Sequence, residues 1–169
     1  MINSETLLGL PGYQISGITR EGGEVRIAAR YTGPLSCPHC AGSRLRDKGR
    51  YLRRVRHENW GLRRCVLVLE AHKWHCLDCG RYFRQRFPGI VEGQRASEAY
   101  QKMIFRQHLD GINRSRLGRR EGIGAATVER YFRRGLQRQF REWYSARRCW
   151  AWTSTSSRIA RVMLLRSAT

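Results

Sequence analysis

A chain of 169 residues has room for one ordinary domain or for two to three small ones. Its charge is unbalanced, because 33 lysines and arginines stand against 13 aspartates and glutamates and the formal net charge is +20. This excess favours a polyanionic partner, and the predominance of arginine favours forked hydrogen bonds to phosphates and guanine edges. The sequence has no apolar run of about 18 residues and no signal-peptide pattern, which excludes a membrane span and argues against secretion. We therefore expect a cytoplasmic protein whose cysteines stay reduced.

The first half of the chain predicts two β-hairpins. Residues 13–19 and 24–31 are β-leaning runs on either side of a turn at Glu21-Gly22-Gly23. Residues 49–58 and 65–74 are rich in β-branched and aromatic side chains, and Gly61 marks the turn between them. Pro88-Gly89 then interrupts the pattern and is a candidate boundary between modules.

Two Cys-x-x-Cys pairs lie at the ends of the second hairpin. They are CPHC, with Cys37 and Cys40, and CLDC, with Cys76 and Cys79. A spacing of two residues lets one tight turn direct both sulfurs at the same ion, and two such turns complete the tetrahedral shell of a structural zinc ion. Each Cys-x-x-Cys turn is called a knuckle below, and two knuckles joined by a long hairpin are the layout of a zinc ribbon.

Other readings of the cysteines and their neighbours stay open at this point. Two disulfides would need an oxidising compartment, and a redox motif would be a single pair between a strand and a helix. One of the nearby histidines could replace a sulfur ligand; these are His39, His72 and His75. Gly42 and Gly80 follow the pairs, where a turn often needs a positive φ. Cys65 is expected in the core, and Cys149 is given no role.

The second half of the chain has a helical pattern. Ser97 is the predicted N-cap of a helix with Tyr100, Ile104 and Leu109 near one face. A helix-turn-helix is predicted next, with a first helix to Arg120, a turn at 122–124, and a second helix from about Ala125 to Arg134. Ile123 and Val128 would face inward. The outward positions would then be Ala126, Thr127, Glu129, Arg130, Arg133 and Arg134.

These outward positions suggest contact with DNA. The early residues of a recognition helix meet base edges, whereas later arginines more often hold phosphates. A plain helical hairpin with a solvated basic face is the alternative. The ribbon offers a second basic surface, on which Arg53-Arg54 and Arg63-Arg64 are expected to flank the hairpin turn and to grip phosphates.

Taken in order, LLGLPGYQISGI, CPHC, an Arg-rich hairpin, CLDCGRYF and the helix-turn-helix resemble the N-terminal third of bacterial insertion-sequence transposases of the ISL-three family. The likeness covers about residues 5–148. It implies that Cys37, Cys40, Cys76 and Cys79 hold one Zn²⁺ and that the protein recognises the terminal inverted repeats of a transposon. It also implies a nucleoid-associated protein that binds double-stranded DNA and could associate with itself or with an intact transposase.

In that family an RNase-H-like domain follows, with an Asp-Asp-Glu triad that holds two metal ions. No Asp or Glu follows Glu142 here, so we expect a truncated transposase without strand-transfer activity. A shifted reading frame over Trp150 to Thr169 can encode Gly-x-Asp-Glu-His-Phe, which looks like the segment around the family's first catalytic Asp. Our hypothesis is a frameshift near Arg147 to Cys149, and the encoding DNA tests it.

The expected fold class is α+β, a small β-rich zinc ribbon with an N-terminal β-hairpin, an all-α helix-turn-helix module and an irregular tail. The expected divisions are 1–35 for the hairpin segment, 36–88 for the ribbon, 96–148 for the helix-turn-helix, and 149–169 for an out-of-frame, disordered tail. The alternative function is a stand-alone transcriptional regulator built from the same modules, which genomic context would distinguish. An RNA-binding zinc ribbon is a third option, and competition between duplex DNA and RNA would test it.

Overall fold

The structure is a computed structural model, and it describes residues 8–150, with side chains for 8–143. Of the predicted tail, residues 149–169, the part from 151 onward lies outside the described residues, as does the side chain of Cys149. The α+β class is confirmed. The strands are β1 Tyr13–Glu21, β2 Glu24–Tyr31, β3 Leu45–Trp60, β4 Arg63–Cys76 and β5 Tyr82–Arg84, and the helices are α1 Glu98–Leu109, α2 Arg114–Glu121 and α3 Ala125–Trp150.

Both predicted hairpins are present. Strands β1 and β2 pair antiparallel, and so do β3 and β4. Gly22 (φ 54°) and Gly61 (φ 62°) lie in the two turns, where a left-handed backbone favours glycine.

The two hairpins form a single sheet, which the sequence did not predict. The strand order is β1-β2-β4-β3, with β2 parallel to β4 and β5 pairing with the end of β4. In the parallel register Val25 lies beside Cys65 and Ile27 beside Leu67. All four side chains are buried in one core, so each hairpin covers apolar surface that the other would otherwise expose to water.

The loop after β5 crosses over this core. Phe87 and Ile90 are buried in it, and the hydroxyl of Tyr13 donates to the carbonyl oxygen of Pro88 at 2.8 Å. The chain then runs along the edge of β3, where the amide of Arg56 donates to Arg95 O and the amide of Ser97 donates to Arg56 O. The helices therefore pack on the ribbon immediately after the candidate boundary at Pro88-Gly89, and the division into modules stays a prediction.

In the helical half, the start of the first helix lies where the sequence predicted it, but the ends of the helices differ from the prediction. Ser97 caps α1, accepting from the amide of Tyr100 at 3.0 Å. Tyr100 and Ile104 are buried as predicted, but Leu109 at the last turn is 55% exposed. The predicted end of the second helix at Arg134 is wrong, because α3 continues to Trp150. Gly135 does not end the helix. It gives room to the ring of Phe105, which a Cβ at that position would overlap.

Among the described residues, no helix is long and apolar enough to cross a membrane.

Candidate metal centre and basic surfaces

The first Cys-x-x-Cys pair forms a tight turn closed by backbone hydrogen bonds. The amide of Ala41 donates to Cys37 O at 2.8 Å, and the amide of Cys37 donates to Gly42 O at 2.9 Å. Ala41 takes the left-handed conformation (φ 59°), so the prediction of a positive φ at Gly42 is wrong. Gly42 serves a different purpose, since a Cβ there would overlap the carboxylate of Asp78 in the second knuckle.

The second pair repeats this pattern. The amide of Gly80 donates to Cys76 O and the amide of Cys76 donates to Arg81 O, both at 2.9 Å. Gly80 has φ 70°, as predicted. An ion pair joins the two knuckles, with Arg44 Nε 2.5 Å from Asp78 Oδ1. The two turns therefore present their sulfurs in equivalent ways.

The four sulfurs of Cys37, Cys40, Cys76 and Cys79 lie within 4.8 Å of one another. The Cys37–Cys79 and Cys40–Cys76 Sγ distances are 3.7 and 3.6 Å. A tetrahedron with Zn–S bonds of about 2.3 Å has edges of about 3.8 Å, whereas a disulfide would require about 2.05 Å. The spacing fits one tetrahedral zinc ion and does not fit disulfides. Four sulfur ligands also leave no position for a substrate, so the zinc is structural.

The thiol pKa values show why this cluster needs a cation. Desolvation is the largest influence on Cys37 and opposes its ionisation, but hydrogen bonds from the amides of His39 and Cys40 and from the neighbouring thiols together lower the pKa of Cys37 to about 7. The Gly42 amide favours ionisation of Cys40, yet desolvation and the neighbouring thiols raise the pKa of Cys40 to about 12. The cluster thus accommodates one thiolate far more easily than several. A divalent ion bound to all four sulfurs supplies the charge that lets each of them ionise.

The three nearby histidines have other partners. His39 Nδ1 is 3.2 Å from a nitrogen of Arg81, His72 Nδ1 is 2.8 Å from Asp47 Oδ2, and His75 stacks on Tyr82. Cys65 is buried in the apolar core, as expected. The metal-binding group found among the described residues consists of the four cysteines alone.

The exposed face of α3 carries the residues predicted to meet DNA. Val128 is fully buried and Ile123 packs against the same cluster, as the helix-turn-helix pattern required. The opposite face forms a shallow depression of about 440 Å³. It is lined by Ala126, Glu129, Arg130, Arg133, Arg134 and Gln137.

The predicted contacts on this helix differ in their exposure. Ala126, Arg130 and Arg133 are exposed, whereas Thr127 and Arg134 are half-buried. The Thr127 hydroxyl accepts from Arg130 at 3.2 Å. In the middle of the face, Glu129 accepts from Arg133 and from Arg114 of α2, each at 2.8 Å. The hydrogen bond from Arg133 is the main reason why the pKa of Glu129 is lowered.

The four predicted ribbon arginines lie in different surroundings. Arg63 and Arg64 follow the hairpin turn, but Arg53 and Arg54 pair with Leu69 and Val68 in mid-strand, so their predicted place beside the turn is wrong. Arg54 and Arg63 are exposed. By contrast, Arg53 donates to Gln94 O at 2.8 Å and lies over the ring of Phe87, while Arg64 donates twice to Arg120 O.

A groove of about 1020 Å³ lies between β3 and the loop after β5. Arg54 lines it together with Arg84 and Arg95, which the sequence analysis did not single out. Arg84 and Arg95 are 11 residues apart in the sequence, and they line the same groove because the loop crosses the sheet. The excess of arginine was a signal that basic surface exists, but not of where it gathers.

The ribbon matches a known protein family. Residues 33–79 match the family described as the zinc-finger of transposase IS204/IS1001/IS1096/IS1165, a zinc ribbon of the ISL-three type. The match spans both cysteine pairs and the β3–β4 hairpin, about a quarter of the chain. Comparisons with curated proteins and with solved structures gave no match. The chain thus contains a transposase-type zinc ribbon with a site for one structural Zn²⁺, and no catalytic domain is evident within residues 8–150.

Proposed function

We propose that the protein binds double-stranded DNA at the terminal inverted repeats of a transposable element. One observation carries the proposal. A transposase-type zinc ribbon packs against α1, and α1 packs in turn against α3, whose exposed face carries a row of arginines. In this proposal α2, the turn at 122–124 and α3 act as a helix-turn-helix, and α3 enters the major groove.

The residues of α3 are proposed to make different contacts with DNA according to their position in the helix. Ala126 and Thr127 lie in the first turn, where side chains of a recognition helix reach base edges. An alanine methyl group suits the methyl group of thymine, and a threonine hydroxyl can donate or accept. Arg130, Arg133 and Arg134 follow one and two turns later, where a guanidinium can hold a phosphate or form a forked contact with guanine.

The ribbon would contact the flanking backbone. Arg54 and Arg63 are exposed on it, so we propose them as phosphate contacts. Arg53 and Arg64 already have intramolecular partners, and their predicted contacts with DNA stay predictions. If the three arginines of α3 and these two each neutralise one phosphate, log K should fall with log salt with a slope of about −4.5.

Selection from a random duplex pool, followed by footprinting, tests the proposal. We expect the zinc-loaded protein to enrich one sequence and to bind it at least about 10³-fold more tightly than random duplex or RNA at 150 mM salt. Arg130→Ala should weaken binding by about 1–3 kcal/mol if it reads a base, and should relax the preference at one position. Lys102→Ala, an exposed lysine on α1, is the matched control for loss of charge.

The outcomes separate the alternatives. An enriched sequence found within inverted repeats that flank the encoding gene would support transposon ends as the target. Equal binding of duplex DNA and RNA, or no enrichment over the random pool, would exclude the proposal.

A further inference from the structure

Two arginines of the ribbon hold the C-terminal end of α2. Arg64 donates from Nε and Nη2 to Arg120 O at 3.2 and 2.6 Å, and Arg56 donates from Nη2 to Glu121 O at 3.0 Å. These carbonyl groups belong to the last turn of α2, which has no further helical amides to satisfy it and carries the negative end of the helix dipole. One guanidinium comes from each strand of the β3–β4 hairpin.

A buried carboxylate completes this contact. Glu121 is 1% exposed, and its side chain accepts from Asn59 at 3.0 Å and from Arg56 and Arg120 at 3.4 and 3.3 Å. Asn59 and Arg56 both belong to β3. Arg56 also lies 5.4 Å from the ring of Tyr100 in α1. A buried carboxylate is tolerated where such partners surround it, and it fixes their directions more strictly than an apolar contact would.

The contact is polar, although each side has an apolar core. The ribbon core contains Val55, Leu67 and Leu69, whereas a separate cluster contains Tyr100, Ile104, Leu117 and Val128. The backbone bonds of residues 95–97, the buried His57–Ser97 hydrogen bond and the packing of α1 on β3 hold α1 to the ribbon, and these directional contacts hold α2 to it. Loss of these polar contacts should therefore change how the helices are oriented on the ribbon, while both apolar cores stay in place.

The anchored helix end leads directly into α3. Gly122 caps α2 with φ 67°, and α3 begins three residues later at Ala125. Gly118 packs closely against Ile123 O, so the turn has little freedom relative to α2. Holding the carbonyl end of α2 therefore holds the start of α3.

We propose that Arg56, Arg64 and Glu121 are positioning residues that set the spacing at which α3 and the ribbon contact one DNA site. The proposal rests on the DNA-binding function proposed above. Arg64 then acts through α2 and need not touch DNA itself. The prediction is a strict spacing between the part of the site covered by the ribbon and the part covered by α3.

The test uses the duplex selected by the full chain and versions with two base pairs inserted between its two footprints. Such an insertion moves one footprint by about 7 Å and rotates it by about 70°. Wild type should lose at least about tenfold in affinity. The double variant Arg64→Met with Glu121→Gln should bind the original site more weakly and lose less than about threefold on insertion.

A matched double variant controls for charge. Lys102→Met with Glu98→Gln also removes one charge of each sign, at exposed positions of α1. This variant should lose the same factor in affinity on insertion as wild type does. Zinc content and thermal unfolding report whether each variant is folded. If the double variant is not, Arg64→Met alone gives the same test, because it leaves the partners of Glu121 in place.

The outcomes are distinguishable. A folded variant that keeps the full tenfold penalty would overturn the positioning role, and so would a wild-type footprint confined to α3. If wild type enriches no duplex at all, the proposed function fails instead.

Discussion

Replacing Cys76 with serine should weaken zinc binding, so that a chelator removes the ion readily and one end of the ribbon unfolds. Cys76 is fully buried, and its Sγ lies 3.6 Å from that of Cys40. Structural zinc contributes about 10–16 kcal/mol of apparent binding free energy at pH 7, so one of four thiolates accounts for about 2.5–4 kcal/mol. Because about 1.4 kcal/mol is tenfold, the variant should bind zinc about 10²- to 10³-fold more weakly.

The structure also predicts which residues unfold. The second knuckle has almost no apolar core, since Leu77 and Tyr82 are 52% and 67% exposed. Leu67 and Leu69, earlier in β4, are fully buried in a core that lies apart from the sulfurs. Zinc loss should therefore release the knuckles and the adjoining ends of β3 and β4, while the centre of the sheet keeps its structure.

Hydrogen exchange with and without a chelator measures this directly. The amides of Cys37, Ala41 and Gly80 should lose protection, and those paired between β2 and β4 should keep it. Cys65→Ala is the matched control, because Cys65 is a buried cysteine that is not a ligand. It should lose about 0.5–3 kcal/mol of stability and retain one zinc ion per chain.

Three results would refute this reasoning. Cys76→Ser with wild-type zinc affinity would mean that the cluster is not the site. Knuckle amides that stay protected in chelator would mean that the knuckles fold without metal. Loss of zinc from Cys65→Ala would mean that the core and the metal site are not separable.

Two further predictions concern buried and paired charges. His57 is 2.9 Å from Ser97 Oγ and 3.1 Å from Leu8 O, and burial lowers its pKa. Its stabilising contribution should therefore be complete above pH of about 6.5 and decline as pH falls, because the unfolded chain then binds the extra proton. In urea titrations at pH 7.5 and 5.5, wild type should lose more stability than His57→Gln, and equal losses would refute the role of this side chain. Glu129→Gln should free Arg133 and steepen the salt dependence of binding to random duplex by up to about 1 in slope. Glu98→Gln makes the same charge change on α1, and an equal effect there would show that only net charge matters.

The features that the sequence predicted are set by short stretches of chain. The cysteine pairs close their own turns, Ser97 caps its own helix, and both hairpins have glycine where the turn requires it. Each of these depends on residues at most a few positions apart. Local rules therefore located the zinc ligands and most element starts before any tertiary contact was known.

The features that the sequence missed depend on partners far along the chain. The parallel pairing of β2 with β4 requires two hairpins to bury the same core, and nothing near Val25 indicates Cys65 as its neighbour. Arg63 and Arg64 are adjacent and chemically identical, yet Arg63 is exposed and Arg64 binds the end of a helix 56 residues later. The division of the chain into four segments, the association with other copies and the frameshift stay predictions.

Both candidate surfaces contain arginines that have no carboxylate partner. Carboxylates among the described residues are paired with arginines in several places, including Arg26, Arg44, Arg50, Arg86 and Arg114. Two of these pairs lie at the candidate surfaces, Arg86 with Glu92 at the groove and Arg114 with Glu129 on α3. Arg54, Arg84 and Arg95 around the groove form no ion pair with a described residue, and neither do Arg130 and Arg134 on α3.

Unpaired arginines therefore lie at both places, one on the ribbon and one on α3. A single polyanion that reached both places would contact more arginines than a ligand bound at either place alone. Its affinity would then depend on how firmly the two places are held relative to each other, since a loose connection adds a cost in conformational entropy on binding. The contact of Arg56 and Arg64 with the end of α2 supplies that connection, which is why its loss should affect spacing more than folding.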